Sequence, residues 1–425
     1  MSVDDTSTVA AAVADAHRRE WALVLAATVR VTRDLDVAEE CAQDAFAAAL
    51  TDWRTSGVPA RPGAWLTTTA KRRALNVLRH RGVERRALPL LIDAPTVPGP
   101  AEVLDERADG IPLPDDRLRL IATCCHPALD QAAQVALTLR LVCGLSTAEV
   151  ARAFLVPEAT MAARITRAKK KIVLARIPYR VPPVAELPER VDAVLAVVHL
   201  LFTTGHTTPA GGELVRRDLV ERSLHLCRML RQLLPEDPAV AGLLALLLLT
   251  DARRETRTGP DGRLLLLEEQ DRSRWDHRAI AEGAALVREA LRHRPPSRYA
   301  LQAAIAAVHA ESPSWTDTDW HEILALYGVL EAVWPSPVVA LNRAVALGFA
   351  EGAEAGLAAL DALAGERQLA GYGYFPASRA DFLRQLGRIE EARSAYEQAL
   401  QLTDNSVERA FLSARLDRLG AGPDR

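Results

Sequence analysis

Arg164, Arg167, Lys169, Lys170 and Lys171 crowd a short stretch of a chain whose formal net charge is only −3. Between Ala159 and Ala185 there are seven Lys/Arg and no Asp or Glu. Cations at that density do one thing well: they neutralise a polyanion such as nucleic-acid phosphate. With the whole chain near neutrality, such a site must be local. Three other clusters offer different chemistry. Cys124-Cys125-His126 has metal-ligand types but no second ligand group at zinc spacing, so no metal is expected there. His199 and His206 lie at a helix end, where capping or core roles are expected. From Asp251 to Arg278 there are seven acids and seven arginines. Without a nearby nucleophile, paired ions of this kind form a structural network rather than a catalytic site. Neither catalysis nor a cofactor is expected.

The local punctuation says how the basic residues are held. Ser146 followed three residues later by Glu149 is a capping box, so a helix starts at Thr147 and runs to about Phe154. Leu155-Val156-Pro157 then turns the chain, and Pro157 suits the first turn of a second helix. In that helix Met161, Ile165, Ala168 and Ile172 form one apolar stripe, while Thr160, Arg164, Arg167 and Lys171 share the spacing on a neighbouring face. A scaffold helix is expected at Leu129–Leu141. Two short helices, a tight turn and a basic outer face make a helix-turn-helix. Ala159, Ala162 and Ala163 at its tip offer methyl contact to thymine, which leaves Arg164 as the expected purine reader. Arg167, Lys169, Lys170 and Lys171 are expected to anchor phosphates.

An earlier segment has the same division of labour. From Asp36 a helix places Val37, Cys41, Ala45 and Ala49 inside. Asp36, Glu39, Glu40, Gln43 and Asp44 are expected outside as an acidic strip. A helix then starts at Arg61-Pro62-Gly63-Ala64-Trp65-Leu66, and eight Lys/Arg face one Glu between Arg61 and Arg86. The stretches DLDVAEECAQDAFAAALTDW, PGAWLTTTAKRRALNVLRHR and LTLRLVCGLSTAEVARAFLVPEATMAARITRAKKKI resemble conserved regions two and four of extracytoplasmic-function sigma factors. The resemblance covers roughly residues 17–177 and extends to the subgroup with a tetratricopeptide-like helical extension. It implies that Asp36, Glu39, Glu40, Gln43, Asp44 and Phe46 dock on core RNA polymerase. It implies that Trp65, Lys71, Arg72, Arg73, Asn76 and Arg79 grip the minus-ten promoter element. Trp65 either stacks on an unpaired base or packs in the core. Residues 146–171, including Ser146, Thr147, Glu158, Thr160, Ala162 and Ala163, match the reader of the minus-thirty-five element.

The whole chain is read as all-α, since alternating strand patterns are essentially absent. Two proline-rich breaks divide it into region two (1–82), a linker (83–114), region four (115–177), a second linker (178–188) and a helical domain (189–425). Hydrophobic content of 49% with 25% charged residues is globular. The apolar run Val240–Leu249 is too short to span a bilayer and is expected as a buried helix. Five cysteines without a CxxC pair, and no signal peptide, suggest reduced core thiols in a cytoplasmic protein. Only at Leu264–Leu267 does the period fail to separate strand from helix. Ala377–Leu402 is close to one tetratricopeptide repeat, with helices Arg379–Leu386 and Ile389–Leu402. Residues 341–347 and 355–363 look like a degenerate second one. Such arrays hold peptides or helices, so a regulatory protein or peptide is expected on this domain. Asp261, Gly262, Arg263, Asp271, Arg272 and Trp275 are expected to form a seam between the array and the sigma segments. The sequence thus points to a sigma factor that recruits core polymerase to promoter DNA. Its rival is a helix-turn-helix regulator with a repeat-type sensor domain, acting on DNA without core polymerase. The acidic strip beside a basic strip favours the sigma reading, because a simple regulator needs no such pair.

Overall fold

Apolar residues at steps of three and four must bury one stripe per helix, and the computed structural model shows where each stripe goes. It describes residues 3–87, 116–154, 156–180, 186–208, 210–211 and 214–420. The prolines expected to break the chain at 89, 95, 98, 100, 112 and 114, and those at 182 and 183, lie outside the described residues. The chain divides into two compact units, Met1–Val197 and Val198–Arg425.

The first unit begins with a three-helix bundle, α1 (Val3–Thr32), α2 (Leu35–Ser56) and α3 (Pro62–Ala87). Asp34 caps α2, its carboxylate accepting from the backbone N–H of Asp36 and Val37 at 2.9 and 3.1 Å. The expected stripe Val37, Cys41, Ala45 and Ala49 is buried, and Leu66, Ala70 and Ala74 of α3 answer it. After α4 (Asp116–Cys124), the expected scaffold helix starts two residues late, at α5 (Gln131–Leu137), because the Asp130 side chain caps the Ala133 N–H at 2.9 Å. It ends in a π-helical turn, Thr138–Val142, with the Cys143 N–H donating to the Thr138 carbonyl. The π-turn adds a residue to the register, which periodic reading cannot see. α6 (Thr147–Ala153) and α7 (Glu158–Leu174) follow.

The second unit is helical almost throughout, and α8 (Leu187–His206) runs across the division, so the unit begins inside a helix rather than at residue 189. α9 (Arg217–Leu233) and α10 (Pro238–Asp251) come next, and every residue of the run Val240–Leu249 is buried as expected. α11 (His277–Ala290) and α12 (Arg298–Glu311) pack against it, and α13 (Trp320–Val333) packs on α12. Then come α14 (Pro337–Glu351), α15 (Ala353–Ala362), α16 (Tyr374–Gln385), α17 (Ile389–Gln401) and α18 (Ser406–Gly420). α16 and α17 form a helical hairpin around Gly387, whose φ of 72° suits glycine. One short parallel pairing, Ala210–Gly211 (β1) with Asp404–Asn405 (β2), ties the start of the unit to its end. The ambiguous run at 264–267 is neither regular strand nor α-helix: Leu264 makes a single bridge to Thr258, and a 3₁₀ turn starts at Leu267.

The polar run beside it is an internal strap. Arg272 donates to the His309 and Ser312 carbonyls at 2.6 and 2.7 Å, and its guanidinium lies 4.6 Å from the Trp275 ring. The Trp275 indole N–H donates to Thr256 Oγ1 at 2.9 Å. Arg263, beside the Gly262 turn, donates to exposed Glu269 at 3.0 Å, and Asp261 and Asp271 cap neighbouring backbone N–H groups. All these bonds join parts of residues 198–425. His206 stacks on Phe202 at 5.3 Å, a core role of the kind expected. Cys125, with Sγ 3.4 Å from Thr138 Oγ1, is a buried thiol pushed up to about 12 by burial.

Gly242 sets how closely α10 and α12 approach. A Cβ there would lie 2.6 Å from the Ala300 backbone nitrogen and 3.0 Å from its Cα. Gly242→Ala should therefore cost about 1–3 kcal/mol through overpacking, less the better helix propensity of Ala. In the same helical setting Gly328 has open space, so Gly328→Ala should stabilise by about 0.4–1 kcal/mol. Thermal melting of both variants checks this: equal melting temperatures would mean α10 and α12 can separate at no cost.

Candidate nucleic-acid interface

The capping box closes as its spacing requires. The Ser146 N–H donates to Glu149 Oε2 at 2.7 Å, and the Glu149 N–H donates to Ser146 Oγ at 3.2 Å. Thr147 opens α6, and Val150 and Ala151 are buried beneath it. Phe154 is only half-buried, and the Arg164 guanidinium lies 5.8 Å from its ring centroid. The turn residue Leu155 lies outside the described residues. Pro157, with ψ of 144°, precedes the second helix as its cap rather than entering the first turn.

On α7 the expected stripe Met161, Ile165, Ala168 and Ile172 is buried. Glu158, Thr160, Ala162, Ala163, Arg167, Lys170 and Lys171 are exposed, and Arg164 is half-buried. This leaves a basic outer face whose cations have short reach to solvent. Lys169 is the exception. Its amine donates to Asp36 Oδ1 at 2.6 Å and to Glu39 Oε2 at 2.8 Å, and its side chain is 12% exposed. A phosphate anchor must be free to meet phosphate, so Lys169 is corrected to a structural cation that joins α7 to α2.

Two calls on α2 change for the same reason. Glu39 does not face out with its neighbours: its side chain is 8% exposed and also pairs with Arg140 of the π-turn. Phe46 is buried too, 5.0 Å from His17 and 5.8 Å from Trp21. Glu40, Gln43 and Asp44 are exposed as expected, as is Asp36 at 76%. Burial alone would depress the Lys169 amine, but the Glu39 charge and the bonds to Asp36 and Glu39 outweigh it and hold its pKa above the ordinary lysine value. The amine's contribution is fully present below its ordinary pKa and is lost only as pH rises through the raised one.

On α3, Arg72, Asn76 and Arg79 are exposed, whereas Arg73 donates to Asp44 at 2.8 Å. Lys71 is partly buried, and burial with the nearby Arg30 charge lowers its pKa. Trp65 is half-buried with its ring edge-on to the buried Trp53 at 5.7 Å, so it sits at the rim of the core.

Several residues that hold the two modules together escape periodic reading. The Trp21 indole N–H donates to the Leu141 carbonyl at 3.0 Å in the interior. Gly144, at φ 71°, passes so close that a Cβ would lie 2.9 Å from both His17 and Trp21. The Tyr179 hydroxyl donates to the Ala26 carbonyl at 2.9 Å, and burial raises its pKa. Glycine at an αL position after an apolar run is the one such signal visible in sequence.

A bundle with a basic third helix, followed by a helix-turn-helix with a basic outer face, defines a two-part DNA-binding protein. Comparison with known families agrees. Residues 16–83 match sigma-70 region 2, residues 119–172 match sigma-70 region 4, and residues 190–291 match a family of unknown function, DUF6596. An uncharacterized protein of Rhizobium meliloti (strain 1021) is 43% identical over 399 residues, covering 94% of each chain. The chain belongs to the sigma-70 factors, as an extracytoplasmic-function-like member with an additional C-terminal domain of unknown function. Among the described residues no helix is long and apolar enough to cross a membrane.

The ion cluster makes an ordered prediction. Lys169→Ala leaves Glu39 with Arg140 and should cost about 1–3 kcal/mol. Glu39→Ala strands two half-buried cations and should cost more, about 3–5 kcal/mol. Denaturant melts of the two variants should differ in that order; the reverse order would mean Glu39 is not the hub.

Proposed function

We propose that the protein directs promoter-specific initiation through regions two and four, with the C-terminal unit modulating that activity. The sigma role rests on the two matched regions. The observation that carries the finer reading is the one-sided charge of α7, whose outer face keeps Arg167, Lys170 and Lys171 exposed while Lys169 turns inward. In the arrangement described, Lys169 occupies Asp36 and Glu39, the carboxylates matched to the polymerase-docking helix. Of the strip, Asp36, Glu40, Gln43 and Asp44 stay exposed for the polymerase, and the outer face of α7 stays open to DNA. Reading falls to Arg164, whose guanidinium lies over the Phe154 ring, and phosphate contact to Arg167, Lys170 and Lys171. On α3, Arg72, Asn76 and Arg79 are the groups free to meet the minus-ten element. The tetratricopeptide-like pattern at 377–402 supports a regulatory protein or peptide as the partner of the C-terminal unit.

Run-off transcription with purified core polymerase tests the reading. The full chain should support a discrete transcript, and Lys170→Ala should weaken binding to all promoters alike and reduce the salt slope by about 1. Arg164→Ala should instead relax promoter choice, at a cost of about 1–3 kcal/mol at its base. Tight specific binding without polymerase, and no transcript with it, would establish the regulator reading in place of this one.

A further inference from the structure

The second unit has two adjoining, partly open cavities, of about 620 and 370 Å³, which share Leu267, His309, Tyr327 and Asn342 in their walls. They differ in charge. In the larger one the arginines are neutralised: Arg384 donates to Asp381 at 2.8 Å, and Arg415 lies 3.9 Å from the same carboxylate. The smaller one has no carboxylate in its lining. Its walls are mostly apolar, built from Leu246 and Leu249 of α10, Ile305 of α12, Leu330 of α13 and Val339 of α14.

Two buried polar atoms without partners face this apolar space, beside a half-buried arginine without a counter-ion. Arg253, which lines the cavity just after α10, has no acceptor or carboxylate on its guanidinium among the described residues. The Gln302 side-chain amide nitrogen and His309 Nδ1, both on α12 and both lining the cavity, are buried with no hydrogen-bond partner. Neighbouring charge makes the deficit worse. Arg272 lies close enough to repel Arg253, and Arg257 meets neutral groups, the His206 carbonyl and Nδ1 and Thr207 Oγ1. Burial and Arg272 together pull Arg253 down to about 10, and burial with the same two arginines pulls His309 down to about 4. Buried donors and a half-buried cation among apolar walls are normally satisfied, and here the complement is one negative charge with several acceptor lone pairs.

We infer that this cavity binds a carboxylate carried on an apolar body. The carboxylate would accept from the Arg253 fork and the Gln302 amide, and the body would lie among the leucine, isoleucine and valine walls. The planar fork of a guanidinium matches a carboxylate, and a single guanidinium matches a single charge. The cavity size is that of a small-molecule site. The same chemistry could come from a free organic acid or from the C-terminal carboxylate of a peptide with an apolar last residue. The inference concerns binding alone and stands apart from the sigma reading.

The test is isothermal titration of the full chain with 2-naphthoate and with its uncharged analogue 2-naphthamide. A parallel pair, acetyl-Ala-Ala-Leu as acid and as amide, tells which source supplies the carboxylate. The acid of at least one pair should bind roughly tenfold or more tightly than its amide, and Arg253→Met should erase that preference. Gln302→Leu should reduce it while melting like the parent, which keeps the test valid if Arg253→Met does not fold. Equal affinity for acid and amide, an acid preference that survives Arg253→Met, or no binding by either acid would each overturn the inference.

Discussion

One buried carboxylate decides the form of the first unit. Glu39 lies between Arg140 and Lys169, contributed by the π-turn and by the reading helix. Left alone in that position it would be costly, because an ion removed from water needs both charge and hydrogen bonds to compensate. With two cations around it the carboxylate is satisfied, and it fixes where region four sits on region two. The neighbouring contacts only work with this placement: the Trp21 indole reaches the Leu141 carbonyl, and Gly144 passes the His17 and Trp21 rings without a side chain. Polar specificity and close packing therefore describe the same seam.

Much of this fold was legible in the sequence, and the failures share a cause. The stripe Met161, Ile165, Ala168 and Ile172, the Ser146–Glu149 box and the buried run Val240–Leu249 are local patterns, and each is found as read. Glu39 and Lys169 were read as surface charges because their partnership spans 130 residues. A signal was present nonetheless. Glu39, Ala42 and Phe46 recur at three and four, so Glu39 shares a helical face with two buried residues. The amphipathic reading gave α2 one apolar stripe, whereas a second buried face sets Phe46 against His17 and Trp21 of α1 and Glu39 against Arg140 and Lys169. The π-turn hid from periodicity in the same way, since its added residue shifts the phase that periodicity measures.

The same geometry links structure to activity. A basic helix can meet DNA and protein at once only if its cations are divided between faces, and α7 divides them at Lys169. Lys170 and Lys171 point to solvent while the residue before them is engaged by α2. Three consecutive lysines in a chain of near-zero net charge are thus two different devices. Reading the run as one phosphate-binding patch overstated its reach by a residue and missed its attachment.

Comparing partly buried cations across the two units separates those that complete the fold from those that need something more. Lys169 and Arg140 meet Glu39, and Arg384 meets Asp381. Each pair is made within the chain, so folding alone compensates it. Arg253 has apolar walls on one side, another arginine nearby and, in the cavity it lines, two more polar atoms without partners. Hydrophobic residues in these places would cost the fold nothing and would remove the charge deficit. Retaining an unpaired guanidinium beside a cavity is a destabilising choice for the folded chain by itself. It becomes a favourable one once an anion fills the space, so the proposed carboxylate would supply from outside what Glu39 and Asp381 supply within the chain.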